Sequence, residues 1–159
     1  MALEDRVSIE LPVEDSSLTP LFYLFVVIPT GLGMAHHVDH IVRGNHVGWP
    51  ITANVTAFTY SLAIYPLLGL SLYLTLTRRV DARYWAGFFA FNAAVLAYVH
   101  VSPWAVEPPR DVMVPYESPL VGYVAFAVVL ALIASVAVGS VYGATLWYRG
   151  DSDSVTSEP

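Results

Sequence analysis

Apolar residues run along this chain in four long blocks, over residues 18–43, 52–77, 83–104 and 120–148, with short polar punctuation between them. Each block is long enough to cross the hydrocarbon core of a bilayer as a helix, which takes about 20 apolar residues. None carries the broad polar stripe of a surface helix, and none alternates with the period of two that a barrel strand needs. The pattern predicts an all-α integral membrane protein. Residues 1–159 would form a single four-transmembrane-helix bundle with acidic tails at 1–17 and 149–159.

The punctuation sets the topology. Residues 78–83 are few and carry three arginines, so the second and third helices should form an antiparallel hairpin. Gly44, Gly48 and Pro50 mark a tight first loop on the opposite side. The stretch 102–119 differs, because Pro103, Pro108, Pro109, Pro115 and Pro119 forbid a regular helix through it. It also holds Trp104, Glu107, Arg110, Asp111, Tyr116 and Glu117, so it reads either as a lid over the bundle end or as a plain connector. Pro29, Gly31 and Gly33 in the first block and Pro66 in the second predict kinks, with Thr30 at hand for freed backbone groups. In the fourth block Ala127, Ala131, Ser135, Gly139 and Gly143 recur every four residues. Such a ridge of small residues lets a second helix approach closely, within the bundle or in a homo-oligomer or partner helix through Ala131, Ser135, Gly139 and Gly143.

Composition sharpens this picture. Hydrophobic residues make up 56% of the chain and charged ones 13%, against about 25% charged in a soluble domain. With no cysteine, disulfides, thiolate metal sites and iron–sulfur clusters are excluded. All seven basic residues are arginine, and the net charge of −6 leaves no basic footprint for nucleic acid. Acidic tails without lysine suit a halophile's salty cytoplasm, and equally a GC-rich genome with ordinary solubilising ends. The acidic start lacks the basic region of a secretory signal, so the first block is expected to remain as an anchor. Arg6, Arg78, Arg79, Arg83 and Arg149 fall on one side and only Arg43 and Arg110 on the other. The positive-inside rule then places both termini in the cytoplasm of a plasma-membrane protein.

That orientation gathers His36, His37, His40, His46 and His100 at the outer face. Ionisable side chains at the edge of a hydrocarbon layer are costly, so their grouping marks a site. At about 100° per residue, His36, Asp39, His40 and Arg43 share one helix face, while His37 turns toward a neighbouring helix or the headgroups. Histidines four apart can present two nitrogens to one metal, and Asp39 can ligate or orient an imidazole. His100 ends the third block at the same level, and Glu107 follows it in the proline-rich loop. His36, His40, His100 and Asp39 or Glu107 thus form a candidate metal set whose nitrogen and oxygen donors suit zinc, iron or manganese.

Three readings follow. In the first, the metal supports a membrane enzyme with Glu107 or Asp39 as base and Arg43 holding an anionic group. In the second, His40 and His100 ligate a b-type haem for electron transfer. In the third, the protein is a scaffold or accessory subunit and the cluster meets headgroups. Thr52, Thr56 and Thr59 would give a polar wall to an outward pocket, and Asn92 should bond a neighbouring helix. Trp49, Trp85, Trp104 and Trp147 read as interfacial anchors.

Overall fold

The computed structural model describes residues 18–43 and 57–156, with side chains described over 18–43 and 58–150. Among these residues the chain is helical and has no strand: α1 spans Pro20–Arg43, α2 Ala57–Ser61, α3 Ile64–Leu76, α4 Ala82–Val101, α5 Pro109–Met113 and α6 Pro119–Thr156. Four stretches are long and apolar enough to cross a membrane: Pro20–Arg43, Phe58–Leu76, Ala82–Val101 and Pro119–Gly150. Trp49, His46, Thr52 and Thr56 lie outside the described residues.

The second block is not one helix. Pro66 cannot donate to the Leu62 carbonyl and its ring crowds that group. Tyr65 donates to it instead, at 3.2 Å, and the helix breaks at Leu62–Ala63 between α2 and α3. By contrast α1 runs unbroken through Pro29. The Thr30 hydroxyl donates to the Val26 carbonyl at 2.6 Å, not to that of Phe25, which is the acceptor Pro29 leaves without its helical donor.

Helix α6 is the hub against which α4, α1 and α5 pack. A Cβ on Gly143 would lie 3.1 Å from the Ala86 nitrogen, and one on Gly139 3.1 Å from the Phe89 ring. Ser140 donates to the Ala86 carbonyl at 2.9 Å. These glycines of the small-residue ridge therefore serve the α4–α6 approach inside the chain. Between α1 and α4, Phe22, Trp85 and Phe89 interlock with ring centroids 5.3 to 6.3 Å apart.

Two expected placements are corrected by this core. Trp85 is fully buried rather than interfacial, with its indole N–H donating to the Thr75 hydroxyl at 2.8 Å. Trp104 and Trp147 are exposed. The Asn92 amide bonds the Phe88 carbonyl of its own helix at 2.8 Å, which satisfies it without a neighbour.

At the far end from the histidines, α3 closes in a Schellman motif. Arg78 N–H donates to the Thr75 carbonyl at 3.0 Å and Arg79 N–H to that of Leu74 at 2.8 Å. Arg78 therefore sits at φ 55°, a left-handed conformation that costs a non-glycine residue about 1–2 kcal/mol. Asp81 then caps α4 by accepting from the backbone N–H groups of Arg83 and Tyr84.

Candidate metal centre

The last two turns of α1 present His36, Asp39, His40 and Arg43, and the last turn of α4 presents His100. After α4 the proline-rich stretch folds back. Ser102 caps the helix end by donating to the Tyr98 carbonyl at 2.7 Å, and Glu107 N–H returns to the Val99 carbonyl at 3.0 Å. This return places the Glu107 carboxylate against the histidines. The short α5, begun by the Pro108–Pro109 pair, then seats Val112 fully buried. Where no regular helix is expected through the stretch, a five-residue one forms.

Four donor groups converge and all are buried: His36, His40, His100 and Glu107. His40 Nε2 lies 3.1 Å from His36 Nε2 and 3.3 Å from Glu107 Oε2. His100 Nδ1 is also 3.3 Å from Glu107 Oε2. One donor atom each from His36, His40 and Glu107 fall within 4.8 Å of one another, the spacing of ligands around one ion. His100 packs edge-on to His36 with ring centroids 4.8 Å apart. The Nδ1 atom of His36 is buried without a hydrogen-bond partner among the described residues. Buried polar atoms are ordinarily satisfied, so this ring nitrogen fits a site that receives a ligand.

Arg43 closes the cluster with a fully buried side chain. It donates from Nε to Asp39 at 2.6 Å, from Nη1 to Glu107 at 2.7 Å and to the Asp111 carbonyl at 3.1 Å, and from Nη2 to His40 Nδ1 at 3.1 Å. A guanidinium only donates, so His40 Nδ1 must accept. The proton of the neutral His40 ring is then on Nε2, facing His36 and Glu107. Asp39 is held by Arg43 on one oxygen and by the Tyr116 hydroxyl on the other. Burial raises the Glu107 pKa, against the lowering effect of Arg43. Burial, then the hydrogen bond and charge of Asp39, push Tyr116 up to about 12.

The remaining expected residues fall elsewhere. His37 points to the second block, where Ser61 donates its own proton to the Phe58 carbonyl and so accepts from His37 Nε2 at 2.9 Å. Tyr65 then donates to His37 Nδ1 at 2.7 Å. Arg110 is exposed. Two contributors were not legible as such: Phe58, fully buried against the His37 and His40 rings, and Tyr116, which carries no pattern that ties it to Asp39. Comparison with protein-family models, with curated proteins and with solved structures finds no match to this chain.

Proposed function

We propose that this is a multi-pass plasma-membrane protein, with both termini cytoplasmic, that holds a divalent transition metal at its outer end. The ligands would be His36, His40 and Glu107, with His100 as fourth donor. The observation that carries this reading is the convergence within 4.8 Å of three buried donors, two from one turn of α1 and one from the loop after α4. Nitrogen and oxygen donors of this kind suit zinc, iron or manganese.

Burial favours a closed site. Catalytic zinc sites keep an open position, whereas structural ones are enclosed by protein ligands. With Glu107 fully buried and Asp39 and Arg43 engaged with each other, these residues orient the ligand set and fasten the outer loop to α1. The metal would supply Lewis acidity to a substrate only where the loop lifts. A base role for Glu107 or Asp39 belongs to that open state. Ligation through His40 Nε2 would move the ring proton to Nδ1 and give up the bond from Arg43. Because the histidines must be neutral and Glu107 ionised to ligate, affinity should fall as pH falls.

A second reading has its own support. The Arg43 bond to His40 Nδ1 stabilises the tautomer with a proton on Nε2, which suits a metal-free latch joining α1 to the loop. The haem reading is less well served. Glu107 Oε2 stands 3.3 Å from both His40 and His100, where a macrocycle between the two imidazoles would have to pass.

Elemental analysis and a visible spectrum on the detergent-purified chain test these readings, beside His36→Ala/His40→Ala and Glu107→Gln. One equivalent of metal, lost in both variants, supports the proposal. A Soret band lost with the histidines means haem. No metal after loading, in a folded protein, leaves the latch.

A further inference from the structure

At the end of the bundle opposite the histidines, a half-open cavity of about 510 Å³ lies between the start of α1, the end of α3 and the start of α4. Leu18 and Leu76 give it apolar walls, Tyr23 and Tyr84 phenol rings, and Arg78 and Arg79 two guanidinium groups. Asp81 lines it too, but its carboxylate accepts from two backbone N–H groups of α4. Both arginines are exposed, and among the described residues no ion pair or side-chain hydrogen bond engages them.

We propose that this cavity binds the phosphate headgroup of an anionic phospholipid. Arginine pairs grip phosphate oxygens through planar, forked donors. Basic pockets between helices at the cytoplasmic side are places where anionic headgroups settle. The apolar walls give the acyl chains a path into the bilayer, since Leu76 stands 73% exposed beside the arginines. Arg78 adds a second argument. It occupies the left-handed position of a Schellman motif, where glycine fits without strain, so the side chain is kept at a conformational cost. Strain of this kind gathers where a side chain is needed for binding.

The inference rests on the transmembrane placement and is independent of the metal. Full-length protein is incorporated into nanodiscs of phosphatidylcholine alone, of phosphatidylcholine with phosphatidylglycerol, or of phosphatidylcholine with inorganic phosphate in the buffer. The thermal midpoint is read for wild type, for Arg78→Gly/Arg79→Gln and for Arg83→Gln/Arg149→Gln. Glycine at 78 suits the observed φ, so the first variant should fold. A rise of several degrees with phosphatidylglycerol in wild type and in the Arg83/Arg149 variant, absent from the Arg78/Arg79 variant, supports the site. An equal rise in all three proteins, or none in any, overturns it. The same rise with inorganic phosphate alone overturns the lipid in favour of a soluble anion. Failure to enter any nanodisc overturns the transmembrane placement as well.

Discussion

Arg43 and Glu107 meet at 2.7 Å with both side chains fully buried, although 64 residues separate them in the chain. Removing two charges from water is repaid only when their remaining donors and acceptors are satisfied. Here the guanidinium also reaches Asp39, His40 and the Asp111 carbonyl. The pair therefore ties the end of α1 to the loop between α4 and α6, and Glu107 is held where the histidines converge.

Arg43→Met should leave Glu107 buried without its cation and cost about 3–5 kcal/mol. Arg43→Met/Glu107→Met should recover much of that loss, because apolar groups of similar volume replace a buried pair at little cost. Unfolding in mixed micelles measures both. A double variant less stable than the Arg43 single variant would show that Glu107 is held by other partners.

Tyr116 should ionise late. Its pKa is pushed up to about 12 by burial and by the bond it donates to Asp39, against about 10 for a free tyrosine. The folded value lies above the unfolded one, so this contribution to stability is complete below pH ~10 and is lost as pH rises toward 12. A tyrosinate absorbance titration of wild type minus Tyr116→Phe should show one late-titrating group. A difference curve centred near 10 would sink the Asp39 bond.

The seat of α5 on α6 depends on Gly122. A Cβ there would lie 2.3 Å from the Met113 carbonyl oxygen, a backbone atom that cannot swing aside. Gly122→Ala should displace the loop and destabilise the fold by about 1–3 kcal/mol. Gly31→Ala meets nothing within 4 Å and should be neutral or stabilising by a few tenths up to ~1 kcal/mol. Limited proteolysis within residues 102–118 should rise for the first variant and stay unchanged for the second.

Sequence periodicity carried the four apolar helical stretches and the shared face of His36, Asp39, His40 and Arg43, because a helix converts spacing directly into direction. It also brought His100 to the same end, since alternating spans fix the level of each helix terminus. Pro66 marked a kink in the second block, but not that the helix would be interrupted at Leu62–Ala63, which a hydropathy pattern averages away. The burial of Trp85 was hidden for a related reason: position at a helix end does not reveal which face packs on Phe22 and Phe89. Glu107 was legible as a candidate beside the histidines, but its ion pair with Arg43 was not. That pair depends on how an irregular loop returns, through the Glu107–Val99 backbone bond, and no periodicity encodes that.

Helix α3 is joined to the rest of the protein by hydrogen bonds more than by deep packing, since Ser71 is its only buried residue. Thr75 gives its own proton to the Ser71 carbonyl at 2.8 Å and accepts from the Trp85 indole at 2.8 Å. Ser71 donates to the Leu67 carbonyl and accepts from the Tyr84 hydroxyl at 2.6 Å. Interhelical bonds of this type within membranes average about 0.6 kcal/mol and reach about 1.7. Thr75→Val leaves the Trp85 N–H buried without its acceptor, so its cost should exceed that average. A cycle with Trp85→Phe isolates the bond from the packing lost with the indole. A coupling of about 1 kcal/mol is expected. A coupling near zero would mean that Leu68 and Leu72, which pack against the core cluster that includes Trp85, hold α3 in place without the bond.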